Sequence, residues 1–305
     1  MLSTRRLLAV SAALLSLMVA GAPSAHADAQ AVCAGNAAIF SGCSSATVTV
    51  VVSAGGSDTA VSLSSGTPVC QFDGSPVPCS AGGAWWSSSR GCYVSKSDPQ
   101  PSATDPVWEG HSDGTVYDCR LPVGVGGARH MSQFWSAVEP VSPAAVQNLA
   151  AQLVQTMNLQ AIGVGMAPTP TSKDPASIGI VGMPNWMWVD SPSPQTWGPI
   201  NRSAASGGLT VNVVARAQSV TWNMGDGSAP VVCAGPGTPY SASYGKAPSP
   251  TCGYSGYNRQ GTYPVSALTH WVISYTSNVG ISGSLALDLT STVSVTIGEL
   301  QTTVG

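Results

Sequence analysis

The chain has 305 residues, with 11 Lys and Arg against 14 Asp and Glu, and charged residues make up only 8% of it. So few basic residues exclude a nucleic-acid partner and an anionic membrane surface, both of which are held by clustered Lys and Arg. Low charge does not mean disorder here: nine Trp and abundant Val supply a core to bury.

The N-terminus carries Arg5-Arg6, an apolar run from Leu7 to Ala22, Pro23 and then Ala25-His26-Ala27. A positive start, a short apolar run and a small-x-small site predict a secretory leader over 1–27, cleaved after Ala27. The run is too short for a spanning helix, and no second long apolar stretch follows. The expectation is a secreted, extracellular protein with no membrane span after cleavage. Loss of Arg5 and Arg6 makes the mature chain more acidic still.

All eight cysteines follow the leader: Cys33, Cys43, Cys70, Cys79, Cys92, Cys119, Cys233 and Cys252. An even count in a secreted chain predicts disulfides. Zinc would need Cys pairs two to four residues apart, and the closest pair here is nine apart. Cys233 and Cys252 are the C-terminal pair, and a loop of that size is worth about 3 kcal/mol. The other six allow many connectivities. Local strands favour Cys92–Cys119; Cys33–Cys43 is expected beside it, which leaves Cys70–Cys79.

Residues 28–135 read as a disulfide-rich β region. Ala46–Ser53 is β-branched and partly alternating, a strand ended by Gly55-Gly56. Asp73-Gly74 predicts a hairpin turn between Gln71-Phe72 and Pro76-Val77. Gly91–Ser95 and Thr115–Arg120 predict two short strands. Between them lies a Pro-rich segment, read as extended through Trp108, Glu109, Gly110 and His111.

Residues 136–166 form a connecting region with the one convincing helix, over 143–157. Ser142 can cap it and Pro143 suits its first turn. Val146, Leu149, Ala150, Leu153 and Met157 line one face. The opposite face has Gln but no charge, so the helix is expected to lie against other structure. Leu159–Met166 follows as an apolar strand, and 167–175, rich in Pro and Thr, reads as a linker. Residues 176–305 then carry strands at sandwich spacing: 209–216, 219–224, 263–268, 270–275, 284–289 and 292–304. The fold class is mainly β, a C-terminal sandwich preceded by a disulfide-rich β region with one helix.

Familiar catalytic motifs are missing from the sequence. Gly245-Lys246-Ala247 and Gly124-Val125-Gly126-Gly127 both fail the phosphate-loop and dinucleotide patterns, so no nucleotide and no cofactor is expected. Glu109, His111 and Asp113 would share one face of an extended segment, as candidates for an acid–base group or a cation site of a hydrolase or metal-dependent enzyme. His130 and His270 read as isolated. Trp85-Trp86, flanked by Gly and Ser, and Trp108 are candidate binding residues, since an apolar ring beside polar orienters suits a sugar or peptide. Trp186 and Trp188 read as core.

Trp222-Asn223-Met224-Gly225-Asp226-Gly227 and Gly261-Thr262-Tyr263-Pro264-Val265 resemble the Trp-Asp-Phe-Gly-Asp-Gly and Gly-x-Tyr-x-Val signature of PKD-type domains. Asn223 and Met224 depart from it. The resemblance covers roughly the last third and implies an Ig-like β-sandwich, with Trp222, Gly225, Asp226, Gly227 and Tyr263 in structural roles. The whole chain also resembles uncharacterised secreted actinobacterial proteins, through Cys79 to Val94, Pro106 to His111 and Trp222 to Gly227. That likeness implies an extracellular β-rich protein and no activity. The expected function is a non-enzymatic module binding an extracellular protein or a cell-wall polysaccharide.

Overall fold

A computed structural model describes residues 31–32, 47–54, 57–122 and 131–300. The expected leader over 1–27, the Cys33–Cys43 pair and His130 lie outside them.

In chain order the strands of the first half are β1 (Ala31–Val32), β2 (Thr47–Ala54), β3 (Ser57–Ser65), β4 (Cys70–Phe72), β5 (Ser75–Val77), β6 (Ser80–Ala81), β7 (Ala84–Ser87), β8 (Cys92–Lys96), β9 (Thr115–Arg120) and β10 (Met131–Ser136). The helix α1 (Pro143–Gln155) follows, then β11 (Gly163–Ala167), β12 (Ile178–Ile180), β13 (Asn185–Asp190), β14 (Ile200–Ser206), β15 (Leu209–Asn223), β16 (Val231–Cys233), β17 (Gly253–Tyr254), β18 (Gly261–Ser277) and β19 (Ser282–Gly298). The protein is mainly β, as its sequence implies.

Three long strands form the spine. In the order β1-β2-β3-β19-β18-β15-β14 they centre a nine-stranded sheet, with β12 added parallel to β19 and β16 antiparallel to β15. The sequence reads as pairs of shorter strands here; the backbone instead runs unbroken through each. In β18, Val265, Ala267, Thr269, Trp271, Ile273 and Tyr275 all turn to one face and are all buried. Thr269 interrupts the apolar pattern without interrupting its period, so the ladder continues. In β15 the inward set changes phase, from Val211, Val213, Ala215 and Ala217 to Val220 and Trp222. A register shift between Ala217 and Ser219 absorbs the change and keeps both sets on one face.

That single face buries two successive cores. At one end Val211, Val213, Ile273, Leu285 and Leu287 pack with Leu63, Trp86 and α1. At the other, Trp222, Val265 and Val295 pack with Val164 and Met187, from the sheet β11-β13-β17. The half-buried Trp197 touches both. The helix forms where expected: Ser142 Oγ accepts from the Ala145 N–H at 3.2 Å, and Val146, Ala150, Leu153 and Val154 are buried. Its Gln147 Nε2 donates to the Gly66 carbonyl at 3.1 Å.

The segment 167–175, read from sequence as a linker, runs between two strands of one sheet, since β11 pairs β13 antiparallel. Thr171 N–H donates to the Ser294 carbonyl at 2.8 Å. Lys173 Nζ donates to the Val164 carbonyl at 2.9 Å and pairs with Asp190. Backbone and side-chain bonds therefore bind this Pro-rich stretch to the fold on both sides.

Disulfides join Cys70–Cys79, Cys92–Cys119 and Cys233–Cys252, with Cα separations of 5.2, 5.6 and 5.6 Å. The hairpin β4–β5 turns at Asp73 and Gly74, both with positive φ. No helix among the described residues is long and apolar enough to cross a membrane. Three disulfides fit an oxidising, extracellular setting.

Candidate functional site

The candidate site lies on the long connection between β8 and β9. Gln100 pins this connection by acting as a substitute strand residue. Its Nε2 donates to the carbonyls of Ser97 and Val116, at 2.6 and 3.0 Å, and its Oε1 accepts from the Val116 N–H at 2.9 Å. Beyond it Asp105 caps a single 3-10 turn, Pro106–Trp108, by accepting from the Val107 N–H at 3.0 Å.

This turn overturns one expectation. Residues 107–113 are not extended: Glu109 ends the turn at φ 50° and Gly110 follows at φ 84°. The alternation that would have placed Glu109, His111 and Asp113 on one face is lost. All three are exposed, and no group of three metal-ligating side chains converges among the described residues. His111 instead lies flat on Trp135 from β10, with ring centroids 3.5 Å apart and planes 3° apart. Trp135 Nε1 donates to the Asp113 carbonyl at 2.6 Å, holding the connection from the other side.

A surface hollow of about 410 Å³ opens beside this stack. Ala103, Pro106 and the half-buried Trp108 give it apolar walls, and Thr104, Asp105 and His111 give it hydroxyl, carboxylate and imidazole groups. Trp108 Nε1 points at the Pro101 carbonyl at 3.4 Å, which fixes the ring's orientation. Of the three tryptophans proposed as binding residues, Trp108 alone lines this hollow.

Trp85 and Trp86 form no exposed platform. They point to opposite faces of β7, and both faces are covered. Trp86 is 0% exposed; it packs edge-on to Phe72 and Tyr93 and donates to the Gln71 carbonyl at 3.1 Å. Trp85 is half-buried against Tyr117, in a small cluster with Cys92, Val94 and Phe134. Sequence alternation separates the two faces of a strand but does not show that a second layer covers the other.

Trp186 is buried, as read, and its Nε1 donates to the Ala247 carbonyl at 2.8 Å. The Cys233–Cys252 loop lays Tyr240 and Tyr244 against it. Trp222 is 1% exposed in the second core. In the turn after β15, Asn223 Oδ1 accepts from the Gly225 N–H at 2.9 Å, and Asp226 accepts from the Ser228 N–H at 3.0 Å and the Tyr254 hydroxyl at 2.5 Å. Burial alone would raise the Asp226 pKa; the bonds from Tyr254 and Ser228 outweigh it and hold the carboxyl below its usual value. Tyr263 stacks on Tyr257 with centroids 4.3 Å apart, and its hydroxyl donates to the Arg259 carbonyl at 2.8 Å.

His270 is not isolated. Its Nδ1 lies 2.8 Å from Asp288 Oδ1 and its Nε2 lies 2.9 Å from Thr221 Oγ1. The hairpin register places His270 directly opposite Asp288. Counting outward from the turn at Asn278-Val279-Gly280 along one unbroken hairpin would have found this pair. Reading the strands as separate pieces hid it.

Compared with protein-family models, curated proteins and solved structures, the chain matches none.

Proposed function

We propose that this protein is a secreted binding module whose ligand is a neutral polysaccharide of the cell wall, taken up without chemical change in the hollow at Trp108. The observation that carries the reading is that hollow: an oriented indole and a proline form its walls, with hydroxyl, carboxylate and imidazole groups at its rim. A sugar ring presents apolar C–H faces and a girdle of hydroxyls, and so fits one aromatic wall with few polar orienters. The scarcity of Lys and Arg in the chain favours a neutral ligand over an anionic one. The reading also takes 176–305 as a PKD-like sandwich that carries the N-terminal region, supported by the turn and aromatic contacts around Asp226 and Tyr263. Fold alone would name no ligand.

The test is co-sedimentation of the full-length mature protein with purified cell-wall polysaccharide. Retention that Trp108→Ala abolishes, while Trp85→Ala leaves it intact, is the expected result. Equal retention of Trp108→Ala and wild type, or none for either, would overturn the assignment. Matching thermal melts show that the variants are folded.

A further inference from the structure

On the face of the nine-stranded sheet opposite its two cores, one residue from each of the three long strands joins a hydroxyl–imidazole–carboxylate relay. We propose that Thr221, His270 and Asp288 form a second, catalytic site that hydrolyses short-chain carboxylic esters, independent of the hollow at Trp108. Asp288 Oδ1 accepts from His270 Nδ1 at 2.8 Å, which leaves the Nε2 lone pair directed at Thr221 Oγ1, 2.9 Å away. Both separations fall in the range a general base needs, and the base is oriented by a third group. Such a constellation is recognised by geometry rather than by sequence order.

Three features separate it from an ordinary polar pair on a sheet. It stands on the adjacent central strands β15, β18 and β19, where backbone pairing on both sides fixes Thr221 and His270, and pairing with His270 fixes Asp288. It is open to solvent, with side-chain exposures of 35% at His270 and 53% at Asp288. The register shift in β15 lies beside it, since Ser219 pairs His270 just after the irregularity; bulges re-aim side chains next to sites. Val232, 66% exposed, and the half-buried Leu268 pair Thr221 on its two sides. They offer an apolar shelf for a short acyl chain.

In the reaction Thr221 Oγ1 attacks the ester carbonyl carbon while its proton passes to His270 Nε2. The bond from the carbonyl carbon to the alcohol oxygen breaks, and the alcohol leaves with that proton. Water then attacks the acyl-threonine and gives a proton to Nε2. The Thr221–acyl bond breaks, the carboxylic acid departs and the proton returns to Oγ1. Asp288 positions the imidazole and does not touch substrate.

The experiment uses p-nitrophenyl acetate with the full-length protein at neutral pH, followed by peptide mass spectrometry of the acylated chain. The expected result is an acetyl adduct on Thr221. Thr221→Ala and His270→Gln should each lose turnover by about 100-fold or more. Thr221→Ser should retain it, and Asp288→Asn should lower kcat with KM unchanged. Equal rates for wild type and Thr221→Ala, or an adduct at another residue only, would overturn the proposal. Because Trp108 takes no part, polysaccharide binding and ester turnover fail independently.

Discussion

Gly225 and Gly227 flank Asp226 in the turn after β15, with φ of +76° and +82°. Alanine at either must enter a left-handed conformation, at about 1–2 kcal/mol. The two sites differ in space. A Cβ on Gly225 would meet the Pro264 carbonyl oxygen at 2.2 Å, whereas one on Gly227 meets nothing within 4 Å. Gly227→Ala should therefore cost only the backbone term, and Gly225→Ala should cost at least ~1 kcal/mol more, because backbone cannot swing away as a side chain can. Urea titration of both variants measures this, and equal costs would contradict it. Asp226 between them gives a pH signature. Its pKa is depressed in the folded state, so its contribution is complete above the unfolded pKa, near 4, and is lost as pH falls through the folded value. Asp226→Asn should flatten that acid limb, so that wild type loses more stability than the variant between about pH 5 and pH 2. Parallel losses would show that the Tyr254 and Ser228 bonds do not set it. Residue chemistry alone makes Gly225-Asp226-Gly227 a turn, since glycine accepts positive φ and a short carboxylate bonds its own backbone. That Tyr254, 28 residues on, completes it was not legible, because no local pattern reports a partner from another sheet.

The long strands show where periodicity carries a reading and where it misleads. Thr269 in β18 and Ser291 in β19 are polar residues at inward positions, and each reads as a gap between two strands although the period of two continues through it. In β15 the opposite holds: the period itself breaks, from odd to even inward positions, while the strand continues. A one-residue irregularity at Gln218 reconciles the two phases, since slipping a strand by one residue exchanges its faces. Deleting Gln218 should turn Val220 and Trp222 outward or tear the β15–β18 ladder, and so abolish the folded near-UV spectrum. Gln218→Ala removes only an exposed side chain and should change stability by less than about 0.5 kcal/mol. If the deletion variant kept the native spectrum, the irregularity would have no role in holding the two cores to one face. The candidate site was half legible for the same reason. Trp108 stood out as an aromatic in a Pro-rich segment, but the His111–Trp135 stack depends on β9–β10 pairing, which composition does not encode. Glu109 and His111 were misplaced because a capped 3-10 turn leaves no periodic trace over three residues.

At the scale of the whole molecule the disulfide-bearing half and the long-strand half share one core. Leu63, Cys70, Trp86 and the apolar face of α1 cover the end of the sheet where Val211, Val213, Ile273, Leu285 and Leu287 point inward. Across the expected boundary β3 pairs β19, and Gly66 N–H donates to the Ser284 carbonyl at 2.8 Å. Sequence composition separated the halves because cysteines crowd one and alternating strands the other, yet hydrophobic burial follows space and ignores that division. A fragment of residues 176–305 would uncover those five side chains, each worth about 1.5–3 kcal/mol when buried. The sum is comparable to the whole stability of a domain. It would also lose β11, and with it the Val164 and Met166 contacts of the second core. The fragment should therefore bind a hydrophobic dye and melt without a cooperative transition, even with Cys233–Cys252 closed. The full chain, with its disulfides oxidised, should unfold in one step in which Trp fluorescence and far-UV dichroism coincide. A sharp, dye-free transition for the fragment would mean that its long strands find another cover, and the shared core would then be dispensable for folding.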